Sequence, residues 1–184
     1  MSFMLLGILN AQAAGGAAGA YELLESETLS SSAAVSFTGL DTYASTYKHL
    51  QLRMIVRTAR SANNDQLIIR LNGDTGTNYT YHEVYGNGTS VVAYAAGASQ
   101  NEIRVRSVET EQNGNGFTAI VFDLLDAYST DKYTTARWLT GAAGINNVAL
   151  SSGLWLNTAA LTSMSITGIS NLAADSRLSL YGVK

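Results

Sequence analysis

Cysteine is absent from all 184 residues, so no disulfide, thiolate zinc site or iron–sulfur cluster is available to the chain. Proline is absent too, although average usage near 5% would place about nine. Gly, Asn, Ser and Thr must therefore supply the turns. Charge is scarce: 14% of residues are Asp, Glu, Lys or Arg, and the net charge is −3. That balance argues against the basic face nucleic acid needs. It suits a protein that works in contact with others, because interface cores are poor in charge. His49 and His82 are the only histidines. No apolar run reaches the roughly 20 residues of a membrane-crossing helix, so no membrane insertion is expected.

The longest apolar stretch is "MSFMLLGILNAQAAGGAAGA". Its length and its A-Q-A step invite a signal-peptide reading. Against that, it has no basic n-region: the first charge is Glu22 and the first positive side chain is Lys48. The stretch reads instead as a docking arm over residues 1–20. Phe3, Met4, Leu5, Leu6, Ile8 and Leu9 form an apolar plug for a partner, and the Ala/Gly segment threads a tight space. The alternative is that the arm packs on its own domain.

From residue 21 to 184 the chain reads as one all-β domain, a β-sandwich or jelly roll. Short Val/Ile/Thr/Tyr-rich runs such as "YKHLQLRMIVRTAR", "DQLIIRLNG", "EIRVRSVE", "GFTAIVFDLL" and "SRLSLYGV" alternate with Gly/Asn/Ser clusters. Leu50, Leu52 and Met54 alternate with His49, Gln51 and Arg53, the period of a half-buried strand. The same period sets Ile103, Val105 and Ser107 opposite Arg104, Arg106 and Val108. Asn72-Gly73, Asn87-Gly88 and Asn113-Gly114 can supply the positive φ of tight hairpins. "YASTYKHL" and "NTAALTSM" are candidates for single helical turns.

Candidate chemistry is thin. Asn72, Asp74 and Asn78 offer oxygens as calcium loops do. Counting from Asn72, Glu83 falls at the twelfth position, but the sixth is Thr77 where a glycine is needed. Tyr79 to His82 also reads as strand, so a hairpin with an Asx turn is expected and no metal site. His82-Glu83 is half of a metalloprotease motif, with Gly86 where the second histidine belongs. A Ser-His-Asp triad is recognised by geometry, but no Gly-x-Ser-x-Gly elbow is present. Asp123 and Asp126 suggest a glycosidase pair, yet a three-residue spacing on one strand sets them on opposite faces. No phosphate-cradling or dinucleotide motif occurs. The expectation is a non-enzymatic protein with no cofactor. Tyr81, Tyr85, Tyr94 and Trp155 are candidates for a sugar-stacking surface; the alternative places such rings half-buried at strand ends. Asn78-Tyr79-Thr80 and Asn87-Gly88-Thr89 match the glycosylation pattern and read as coincidence.

The chain resembles a family of small β-rich virion structural proteins of tailed bacteriophages of aquatic bacteria. The stretches that carry the resemblance are "MLLGILNAQAAGG", "AYELLES", "YKHLQLR", "LNGDTGTNY", "YGNGTS", "FDLLDAYSTDKYTTARWLTG", "SSGLWLNTAALTSMSI" and "RLSLYGVK". None is a catalytic signature. The resemblance implies a particle component, localised to the virion, contacting other capsid or tail proteins and forming homotrimers. With no coiled-coil heptads or shaft repeat, a capsid decoration (cement) subunit is expected. A short tail or neck fibre or adaptor subunit that binds a host glycan is the alternative.

Overall fold

The computed structural model describes residues 19–184. The proposed docking residues Phe3 to Leu9 lie outside them. Two antiparallel sheets pack as a β-sandwich. Across the larger sheet the strands run β1 (Tyr21–Thr28), β12 (Arg177–Val183), β3 (His49–Val56), β8 (Thr118–Leu125), β9 (Thr134–Ala142), β10 (Asn147–Trp155), β5 (Tyr79–Gly86) and β6 (Val91–Gln100). Across the smaller they run β2 (Val35–Thr38), β11 (Ser163–Gly168), β4 (Asp65–Leu71) and β7 (Ile103–Val108). Among the described residues no helix is long and apolar enough to cross a membrane.

Alternation builds the core. Leu50, Leu52, Met54 and Val56 of β3 point inward, as do Ile120, Phe122 and Leu124 of β8. Leu67, Ile69 and Leu71 of β4 meet them from the smaller sheet. Trp138 of β9 stacks on Phe122 at 5.4 Å between ring centroids and lies 6.4 Å from Tyr81. Gly153 of β10 makes that stacking possible, since a Cβ there would come within 3.3 Å of the Trp138 ring and 2.9 Å of the Thr80 carbonyl.

Of the three Asn-Gly steps, only Asn87-Gly88 closes a hairpin, between β5 and β6. Asn72-Gly73 carries the chain from β4 to β5 and Asn113-Gly114 lies between β7 and β8, each crossing from the smaller sheet to the larger. The hairpins expected there are corrected to inter-sheet turns. Asn72 and Gly73 both have positive φ, and Asp74 N–H closes the turn onto Leu71 O. Gly88 and Gly114 are also left-handed. Two local expectations change. Val108 is buried rather than level with Arg104 and Arg106. Ser107 adopts φ 59°, and the β4–β7 register slips by one residue there; the bulge turns Val108 into the core. Of the two candidate helical turns, Tyr47 N–H donates to Tyr43 O in the first. "NTAALTSM" forms no helical turn: Asn157 Oδ1 accepts Ala159 N–H across a local bend, and Ser163 opens β11. β6 is a strand with no counterpart in the sequence reading, because "VVAYAAGASQ" has neither alternation nor β-branched content after Val92.

Candidate functional site

The carboxylates with catalytic potential are bound in structural roles. Asp74 is the hub of the β4–β5 connection. Its Oδ2 accepts from Trp155 Nε1 and Asn78 Nδ2 at 2.8 and 2.9 Å, and its Oδ1 accepts from Gly76 N–H in an Asx turn. Burial alone would raise its pKa. The Trp155, Asn78 and Gly76 hydrogen bonds outweigh burial and hold it below the ordinary value. Asn72 bonds the Ala160–Ser163 backbone instead of a metal position. Among the described residues no group of three or more His, Asp or Glu could hold a metal ion.

Asp123 and Asp126 do not form a pair across a cleft. Asp123 lies on the outer face of the larger sheet, held by Gln51 Nε2 at 2.7 Å and Arg137 Nε at 2.8 Å. Asp126 lies in the turn beyond β8, paired with Lys132 at 2.6 Å. The Lys132 ammonium bonded to it keeps its carboxyl below the usual range. His49 Nδ1 accepts the Asp126 backbone N–H, so that imidazole serves the turn.

His82 and Glu83 point to opposite faces of β5. Glu83 is buried, and Ser151 Oγ donates to its Oε2 at 3.3 Å. Its Oε1 has no hydrogen-bond partner among the described residues. Burial pushes its pKa up, more than Arg106 and Ser151 pull it down. Because the folded value is raised, the protonated form favours the fold. Stability from this group is present below pH 4.5 and falls as pH rises through the folded value. Glu83→Gln is therefore expected to raise the melting temperature at pH 7, with the gain shrinking towards pH 4.5. A melting series with no gain at pH 7 would contradict this reading.

Of the aromatic candidates for sugar stacking, Tyr81 and Tyr94 lie against each other, 6.2 Å between ring centroids, but on the inward side of β5 and β6. Trp155 and Tyr81 are 1% and 2% exposed, so neither offers a ring face to a ligand, which corrects the expectation for those two. Tyr94 reaches the surface but lies under Arg106, whose guanidinium sits 4.1 Å from its ring centroid. Tyr85 is half-buried on the same inward side as Tyr94's neighbour Val92. The four do not make one surface.

What the sequence left unseen is the outer face of the larger sheet. The register places Arg53, Val121, Leu139, Leu150, Val84 and Ala93 side by side on six successive strands. The next outward-facing row runs Ile55, Ala119, Gly141, Val148, Gly86 and Val91. Ile55, Leu139, Val148 and Leu150 each keep more than half their surface in water. Solvent faces of antiparallel sandwiches are normally polar, as the smaller sheet's outer face is. There Ser165 lies beside Ser36 and Arg70, and Glu102 pairs with Arg70 and Arg104.

The apolar belt has relief and a border. Ala119 and Gly141, set between Ile55 and Val148, floor a trough of about 480 Å³. A Cβ on Gly141 would meet nothing within 4 Å among the described residues, so their packing does not demand the glycine. Along one side runs a polar row: Arg53 donates to Gln51, Gln51 to Asp123, and Arg137 to Asp123. Arg53 is clamped between the Tyr181 and Tyr21 rings, at 4.3 and 5.0 Å. An exposed apolar patch rimmed by polar groups marks a surface that contacts a partner, a membrane or a ligand. No protein-family model, curated protein or solved structure matches the chain.

Proposed function

We propose that this protein is a non-enzymatic structural subunit of a tailed-bacteriophage virion, a capsid decoration subunit that works through protein–protein contact. The observation that carries the reading is the apolar belt of the eight-stranded sheet with its open trough at Gly141. An aliphatic face of this breadth costs solubility unless a partner covers it. The low charge of the chain and the engagement of its acidic groups in turns and ladders support the same reading. The resemblance to virion proteins supplies the setting. The apolar plug Phe3 to Leu9 supplies a second attachment, a tether to the particle.

The test is incorporation into particles. Wild type is expected in purified virions at a copy number comparable to the major capsid protein; its absence from virions would end the proposal. A copy number far below that would move it to the tail or neck. Leu139→Arg puts a charge in the centre of the belt at an exposed position, where stability should change by only about 0.5 kcal/mol. Burying that charge against an apolar partner should cut incorporation about tenfold or more. Incorporation unchanged by Leu139→Arg would remove the belt from the mechanism.

A further inference from the structure

Of the four strands that end the two sheets, three carry a device against pairing with another chain. β1 bears Glu22, Glu25 and Glu27, β2 is four residues long, and β7 bears Arg104 and Arg106. Charge and shortness are how natural edges avoid association. β6 runs Val91 to Gln100 with no charged side chain and no proline. Its one irregularity, the register slip at Gly97 to Ser99, leaves the six residues Val91 to Ala96 as a straight, uncharged edge. Val91 is 77% exposed, and no strand lies beyond β6 among the described residues.

We infer that β6 is a homodimerisation edge, pairing antiparallel with β6 of a second copy about a two-fold axis at Ala93. The register follows from the hairpin. Asn87 N–H donates to Ser90 O, and Asn87 opposite Ser90 continues the β5–β6 ladder of Gly86 opposite Val91. In an antiparallel ladder, bonded and non-bonded pairs alternate. Val92, Tyr94 and Ala96 therefore spend their backbone groups on β5. Val91, Ala93 and Ala95 turn theirs to the free edge. A two-fold axis at Ala93 sets Ala93 opposite its own copy and Val91 opposite Ala95, so every free N–H meets a free C=O. Beyond Ala96 the register with β5 slips by two residues around Gly97 to Ser99, which ends the straight part of the edge.

A second copy is the occupant that charge favours. The other long edge, β1, would bring its three carboxylates against a strand with no cation, whereas β6 on β6 brings no charge at all. The pairing also joins the outer rows of the two copies. Leu150, Val84 and Ala93 would continue into Ala93, Val84 and Leu150 of the second copy, one belt across both. The inference is independent of the particle, so it stands or falls apart from the proposed function.

The test uses the full chain. Sedimentation equilibrium is expected to give a dimer that dissociates on dilution. Ala93→Pro removes the central N–H, which points away from β5, so the fold keeps its ladder. That variant is expected to be monomeric with an unchanged far-UV spectrum. Because the chain has no cysteine, Ala93→Cys gives a second, positive readout. Facing Cα atoms about 5.5 Å apart in such a pair suit a disulfide, and oxidation is expected to yield a covalent dimer. Val121→Cys, in the middle of the sheet, is expected to yield none. A wild type that is monomeric or trimeric at high concentration, or Ala93→Cys linking no better than Val121→Cys, would overturn the inference.

Discussion

Trp138→Ala is expected to lower the unfolding free energy by about 3–5 kcal/mol, the usual cost of emptying a large aromatic site in a core. The side chain is 2% exposed and touches residues from three strands of its own sheet: Phe122 on β8, Gly153 on β10 and Tyr81 on β5. Collapse around the hole is resisted, because Gly153 has no side chain to move in and the backbone there is fixed by two ladders. Trp138→Phe is expected to cost markedly less. It keeps the stack on Phe122 and removes an indole N–H that finds no partner among the described residues. Urea titrations with a common slope measure both differences. Equal costs for the two variants would mean that ring packing is not what the site contributes.

Asp74→Ala is the second large effect, about 2 kcal/mol, because it strands the Trp155 indole N–H in a buried position and frees Asn78 and the Gly76 turn. Asp74→Asn keeps an oxygen in place and is expected to cost less. The acid limb separates the two roles. The native carboxyl is held below 3.8, so it contributes stability above that value, which is lost as pH falls through the lower folded one. Asp74→Asn should therefore unfold less steeply than wild type as pH falls below 3.8. Parallel acid-unfolding curves would place the acid sensitivity elsewhere.

Much of the sandwich is legible in the sequence, because period two is enforced wherever one face is buried. β3 and β4 alternate cleanly, and Asn72-Gly73 turns as its chemistry implies, though into the other sheet rather than into a hairpin. β6 is invisible for the complementary reason: an edge strand of Ala and Gly has little to bury, so no pattern is imposed on it. The belt is hidden by symmetry. In "TAIVFDLL", Ile120 and Phe122 face the core while Val121 faces water, and nothing in the letters says which aliphatic row is the inner one. Trp155 and Tyr81 mislead in the same way, since an aromatic ring is equally at home at a ligand surface and in a core. The deciding feature for Trp155 is Asp74, 81 positions away, which accepts its N–H. Val108 escapes the alternation because one left-handed residue, Ser107, shifts the parity of the strand after it.

The acidic margin of β1 has a consequence for growth. A two-fold contact at β6 consumes the edge that makes it, so the joined sheet of two copies ends in β1 on both sides. Each end presents Glu22 and Glu27 to solvent and Glu25 half-buried among them. Like charges set against one another repel, and strand addition therefore terminates at two. Anything larger must be built through the broad face, at right angles to the direction in which a fibril would extend. The molecule thus keeps an adhesive edge while remaining a finite building block.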